Sequence, residues 1–170
     1  SNLRDIFFNL FEVLEVQKST LGQGVFAGMD EETARSTLEA YEEFCQKELA
    51  PAWAISDRIP LQLDKESGTV TLPPPVARAI RTTLEQGWPL LPLPERMGGT
   101  GAPPSVVWAF FELTAGANAI VAFYLFGPII ARVIDRLGTE SQKQRYVKNM
   151  IERHWGGTMV LTEPDAGSDV

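Results

Sequence analysis

The sequence predicts an all-α fold that finishes on one short strand and a turn, and three observations predict it. Apolar residues recur at spacings of three and four through most of the chain, which lays stripes along helices. Stretches rich in Gly and Pro separate those stripes, as helix connections do. Strand-like runs are confined to Thr69-Val70-Thr71-Leu72 and Thr158-Met159-Val160-Leu161.

A first helix is expected from about Leu3 to Val16, where Ile6, Phe7, Leu10, Phe11 and Leu14 share one face and Asn2 can cap the start. The segment from Leu21 to Met29 holds Gly22, Gly24 and Gly28 and reads as a loop. Asp30 is a good N-cap, and Glu31 and Glu32 suit the positive end of the helix that follows. Leu38, Tyr41, Phe44, Cys45 and Leu49 form that helix's buried side, and Pro51 ends or bends it. From Ile55 to Leu72 a surface loop with a small hairpin is expected. Pro73, Pro74 and Pro75 then enter a helix through about Glu85, closed by Gly87-Trp88-Pro89.

Residues 90–104 form a loop rich in Pro and Gly. Apolar helices follow over about Ser105 to Ala115, Asn118 to Phe126 and Pro128 to Leu137. Glu140 to about Arg153 is the last helix, with Thr139 and Gln142 as a capping box and Tyr146, Val147, Met150 and Ile151 on its inner side.

Composition narrows the function classes. The chain has 170 residues with 22 acidic and 15 basic side chains, a formal net charge of -7. That balance argues against a nucleic-acid partner, because such a surface cannot neutralise phosphates. One cysteine, Cys45, and one histidine, His154, exclude both an internal disulfide and a Cys/His zinc site, so no metal site is expected. Cys45 packs as a small apolar group, and His154 near a helix end is expected to meet the last carbonyls. Residues 113–131 carry no charge, but Thr114, Gly116, Asn118 and Gly127-Pro128 interrupt them, so buried helices are expected and no membrane span. The amino end lacks the basic start of a secretory signal, and the cytoplasm, or an organelle matrix in a eukaryote, is the expected location.

Gly98-Gly99-Thr100-Gly101 has neither GxGxxG spacing nor the lysine of a nucleotide-triphosphate loop, and reads as a tight turn. The last stretch carries more. A strand leads to Thr162, Pro164 forces a turn, and Ala166-Gly167-Ser168 lets the backbone approach a ligand closely. Amides and small hydroxyls there suit a polar ring edge or a pyrophosphate. On these grounds alone a plain hairpin or strand-exit turn is the stronger reading.

Residues 157–170, Gly-Thr-Met-Val-Leu-Thr-Glu-Pro-Asp-Ala-Gly-Ser-Asp-Val, closely resemble the flavin-binding signature of the acyl-CoA dehydrogenases. Gly87-Trp88 with Pro94, Gly98-Gly99 and Gly101 resembles that family's early loop. Gly138-Thr139-Glu140-Ser141-Gln142-Lys143 resembles its GTE-x-QK helix start, and residues 3–14 resemble the amino extension of a longer subgroup. The resemblance covers nearly the whole chain.

The resemblance implies FAD as cofactor, an acyl-CoA substrate and an electron-transferring flavoprotein as acceptor for a homo-oligomeric parent. It implies that Met159, Leu161, Thr162, Gly167 and Ser168 bind the flavin. Thr162 would bond the polar edge of the ring, and Leu161 would offer backbone atoms only. Ser168 would reach the pyrophosphate and lie beside the acyl-CoA chain, while Met159 stands where many relatives have an aromatic residue. Phe110, Phe111 and Phe123 are candidates for the acyl pocket wall.

The implied reaction takes a proton from the α carbon and passes hydride from the β carbon to flavin N5. Its general base is a glutamate far downstream, so no catalytic residue is expected in this chain, and the chain alone would be inactive. The expected organisation is an amino-terminal extension over residues 1–29, a helical domain over 30–154 and the start of the middle β domain over 155–170. The alternative is a non-catalytic binding module on the same scaffold, of the kind found in alkylation-response relatives. A free-standing helical interaction domain is a third, weaker reading.

Overall fold

The amino-terminal stripe folds as two short helices instead of one. In the computed structural model, which describes residues 2–169, α1 (Leu3–Phe7) passes into a π-helical segment, Phe8–Val13, and α2 follows at Val16–Ser19. Asn2 caps α1 as expected, accepting from the Asp5 N–H. The wider π turn advances each side chain less than the 3.6-residue repeat assumes. Ile6, Leu10 and Phe11 are therefore buried while Leu14 is exposed, which corrects the expected stripe.

Helix α3 (Glu31–Phe44) starts where its cap predicts, with Asp30 Oδ1 accepting from the Thr33 N–H at 2.8 Å. It continues through a π-helical segment, Cys45–Leu49, and a 3-10 turn, Ala50–Ala52, into α4 (Trp53–Arg58). Pro51 thus bends the chain and lets helix resume. The hairpin forms from β1 (Gln62–Leu63) and β2 (Val70–Thr71), antiparallel, with Leu63 opposite Val70. Helix α5 (Pro74–Glu85) carries its prolines in the first turn, where the missing N–H costs no internal bond.

Helix α6 (Pro104–Phe123) is broken at Asn118, whose backbone is extended. The Asn118 side chain repairs the break: its Nδ2 donates to the Leu49 carbonyl at 3.3 Å and its Oδ1 accepts from the Ile120 N–H at 3.2 Å. Val106, Phe110, Leu113 and Val121 of α6 are buried, as are Leu38, Tyr41 and Leu49 on the α3 side and Val76 and Ile80 on α5. Length and composition alone would let α6 cross a membrane, and 39% of its apolar window is buried. Trp108 and Phe123 lie on its exposed side. The chain divides after Phe123 into two compact units, and everything described so far belongs to the first.

In the second unit, α7 (Phe126–Leu137) begins two residues before Pro128, which falls in its first turn. The capping box is present in full: Thr139 accepts from the Gln142 N–H, and the Gln142 side chain accepts from the Thr139 N–H at 2.8 Å. Helix α8 (Glu140–Gln142), a π-helical segment (Lys143–Val147) and α9 (Lys148–Glu152) complete the last helical run, and the π segment and α9 pack on α7. The π segment again turns the face. Val147 and Met150 are buried, whereas Tyr146, expected inside, is exposed.

The expected strand over residues 158–161 is not formed. A strand needs a partner for its N–H and C=O groups, and among the described residues none pairs with this stretch; the only bridge nearby joins Glu163 to Ala166.

Candidate functional site

The stretch singled out by sequence is held at its root by close backbone contacts. His154 adopts a left-handed φ of 54° after α9, and the Trp155 N–H returns to the Asn149 carbonyl at 3.3 Å. The Trp155 carbonyl then lies against Gly127 of α7, where a Cβ would stand 2.4 Å from it. A Cβ on Gly157 would meet the Ile130 side chain at 2.9 Å. Glycine at both positions lets residues 155–157 lie flat on α7. The expected contact of the His154 ring with helix carbonyls is not made, since among the described residues its side chain has no hydrogen-bond partner.

Beyond Gly157 the chain leaves the helices. Met159, Val160 and Leu161 are exposed, Val160 at 91%. The turn then closes on itself: the Glu163 N–H donates to the Ala166 carbonyl at 2.8 Å, and the Ala166 N–H returns to Glu163 at 3.3 Å. That closure brings Thr162 beside Gly167, where a Cβ on the glycine would stand 3.9 Å from the threonine methyl. Thr162 and Ser168 are exposed and Gly167 half-buried. Two free hydroxyls and small-residue backbone flank one tight turn. That donor set fits a polar ring edge or the oxygens of a pyrophosphate, so the residues present are compatible with a flavin dinucleotide.

The three phenylalanines divide. Phe110 is core, with its ring centroid 4.2 Å from that of Tyr41, and Phe111 bridges Phe110 and Trp108 at 5.4 and 5.9 Å. Phe123 is 69% exposed, while Phe111 is half-buried.

Sequence reasoning missed the aromatic cluster of Tyr41, Phe44 and Trp88, with centroids 4.7 and 5.8 Å from Trp88. Trp88 was legible as a helix stop and as part of the early-loop resemblance, not as a core aromatic. A groove of about 580 Å³ runs beside it, lined by Ser36, Ala40, Leu90, Leu91 and Thr100. Three of the polar side chains along it are already bonded: Ser36 donates to Thr33, Thr100 to Leu91, and Trp88 Nε1 to Gln86.

Among the described residues no group of His, Cys, Asp and Glu side chains could hold a metal ion. Cys45 is buried, and burial pushes its thiol up to about 12, which removes the thiolate at neutral pH.

The pattern of the acyl-CoA dehydrogenase N-terminal domain matches residues 31–154. The whole chain is 43% identical to a broad-specificity linear acyl-CoA dehydrogenase, FadE5, of Mycobacterium tuberculosis, and spans 28% of that protein's length. It is 33% identical, over 99% of the chain, to 3-methylmercaptopropionyl-CoA dehydrogenase of Ruegeria pomeroyi, again across 28% of the relative. A butyryl-CoA dehydrogenase of Syntrophomonas wolfei is 31% identical over 99% of the chain, with the same 28% share.

Proposed function

Because the chain belongs to the acyl-CoA dehydrogenase family, as an N-terminal portion of its members, we propose that it is the first part of a flavoprotein that desaturates an acyl-CoA thioester between its α and β carbons. The observation that carries this reading is the closed turn over Glu163–Ala166, which sets Thr162 beside Gly167 at the end of a chain matching the family's N-terminal domain.

In this reading residues 30–154 are the helical domain, 1–29 its extension and 155–170 the start of the middle β domain. FAD is held in part by Met159, Leu161, Thr162, Gly167 and Ser168. The Thr162 hydroxyl bonds the polar edge of the ring, and Ser168 serves the pyrophosphate and lies beside the acyl chain. When bound, the flavin supplies the acceptor for the hydride that leaves the β carbon. The α proton goes to a glutamate outside this chain. Phe123 offers an apolar surface to the acyl group. The parent is a homo-oligomer of the cytoplasm, or of an organelle matrix, and passes its electrons to an electron-transferring flavoprotein.

The test is purification of the full-length parent. A yellow protein whose flavin colour bleaches when acyl-CoA is added without oxygen supports the reading. A colourless protein that takes up no FAD overturns it.

A further inference from the structure

The segment that carries the proposed flavin contacts is seated on α7 through glycines on both sides. Gly127 of α7 is buried, and a Cβ there would stand 2.4 Å from the Trp155 carbonyl oxygen and 3.7 Å from the Cα of Gly156. A Cβ on Gly157 would meet the Ile130 side chain at 2.9 Å and the Cα of Gly127 at 3.5 Å. Conformation explains neither residue, since neither has the left-handed φ that most often demands glycine. Glycine is also a poor helix former, and Gly127 stands inside α7. What the two residues supply is room. Gly156 has nothing within 4 Å of the place a Cβ would take, so the need for glycine is confined to the two points of contact.

This seat is the last hold on the chain before the turn. Among the described residues, the hydrogen bonds beyond Gly157 are the two between Glu163 and Ala166, and neither reaches a helix. Four residues separate Gly157 from Thr162.

We propose that Gly127 and Gly157 are positioning residues for the flavin: the depth at which residues 155–157 sit on α7 sets where Thr162 and Ser168 stand. The inference rests on the reading above that residues 159–168 hold FAD. A carbon approaches a carbonyl oxygen comfortably to about 3.3 Å, so alanine at 127 must open the 2.4 Å approach by roughly 1 Å. The obstacle is a backbone carbonyl, and no side-chain rotation relieves it. Binding geometry has to be held within about 0.5 Å, so a shift of that size is felt. At Gly157 the obstacle is the Ile130 side chain, which can yield, and the displacement is smaller. Paired as a strand in the parent's β domain, the four intervening residues are stiff and carry the shift through to the turn.

The experiment titrates the flavin-free full-length parent with FAD, unaltered and as Gly127→Ala, Gly157→Ala, Gly156→Ala and Gly138→Ala. Gly138 is the structural control: a Cβ there would stand 2.6 Å from the Ile134 carbonyl oxygen at the far end of α7, so alanine strains the same helix away from the seat. Expected are affinity weaker by roughly tenfold or more in Gly127→Ala, where several contacts move together, a smaller loss in Gly157→Ala, and less than about twofold change in the other two. Affinity in Gly127→Ala within about twofold of the unaltered protein, or an equal loss in either control, overturns the proposal. If Gly127→Ala does not fold, Gly157→Ala decides by the same comparison. Hydrogen exchange over residues 155–161 without FAD reads the seat itself. It should be faster in Gly127→Ala than in Gly138→Ala, and equal rates overturn the proposal. An unaltered parent that takes up no FAD overturns the flavin reading and the proposal with it. A parent that binds FAD equally well in every variant overturns the proposal alone.

Discussion

The hydroxyls of Tyr41 and Thr114 meet at 2.7 Å inside the first unit, and the proton between them belongs to Tyr41. Thr114 has a single hydroxyl proton and gives it to the Phe110 carbonyl at 2.8 Å, so it can only accept from the phenol. Burial pushes the Tyr41 phenol far above its usual range, which keeps it the donor. The bond ties α3 to α6. Tyr41→Phe is expected to lower unfolding free energy by about 1–2 kcal/mol, since it strands a buried acceptor. In urea denaturation the double variant with Thr114→Val should cost less than the sum of the singles. Strict additivity would show that the two hydroxyls do not act together.

Cys45 lies one turn along the same helix and gives the core a pH limit. Its ordinary value is 9.0 and burial raises it to about 12. The unfolded chain therefore loses this proton first. The contribution of the neutral thiol is fully present below pH 9 and is lost as pH rises toward 12, with a slope of at most about 1.4 kcal/mol per pH unit. Tyr41, also raised, adds to the loss from about pH 10. Stability measured by urea between pH 8 and 11 should fall, and Cys45→Ala should flatten the fall between pH 9 and 10. An unchanged slope in that variant would place the alkaline sensitivity elsewhere.

Two glycines of one loop should respond differently to alanine. At Gly99 a Cβ would stand 2.1 Å from the Leu93 carbonyl and 2.3 Å from that of Leu90, both backbone atoms that cannot yield cheaply. Gly101 has open space around it and only a left-handed φ of 64° to maintain. Gly99→Ala is expected to cost about 3 kcal/mol, and Gly101→Ala about 1 kcal/mol. Thermal melts of the two variants check the order, and equal losses would contradict the carbonyl contacts.

The amino-terminal helices are fastened by one cation. The Arg35 guanidinium lies 3.7 Å from the centroid of the Phe11 ring and 5.0 Å from that of Phe7, and pairs with Glu31 at 2.8 Å. Arg35→Ala should release about 1 kcal/mol of local stability, read as several-fold faster hydrogen exchange over residues 3–13. Arg35→Lys should fall between, because lysine keeps the charge and loses the planar stack. If exchange in that segment is unaltered, the apolar contacts of Ile6 and Leu10 hold it alone.

In the full-length parent, Thr162→Val removes the hydroxyl proposed above to bond the flavin ring. The loss of one hydrogen bond, about 1–1.5 kcal/mol, corresponds to a five- to tenfold weaker FAD dissociation constant. Titration of the flavin-free parent with FAD gives the number directly. Affinity equal to the unaltered protein would remove Thr162 from the site.

Signals confined to a few neighbouring residues were legible in the sequence. Asp30 caps α3, and Thr139 and Gln142 form their reciprocal box, because a cap depends only on residues three apart. The π-helical segments were not legible. They change no residue type, yet each resets the face that follows, which is why Leu14 and Tyr146 point to water. The strand over residues 158–161 failed for another reason: its composition is right, but pairing depends on a neighbour that composition does not report. The turn after it was readable from Pro164 and Gly167. The juxtaposition of Thr162 with Gly167 was not, because it depends on the two bonds between Glu163 and Ala166.

Those two bonds bear on the order in which the molecule is built. A turn closed by two of its own backbone bonds holds its shape here without a flanking sheet, while the stretch leading to it is unpaired. In a parent that supplies partner strands, assembly would then run from a ready-made corner outward, with Val160 and Leu161 zipped down last. The conformational entropy of the corner would already have been lost when the strands arrive, leaving only the strand to be ordered.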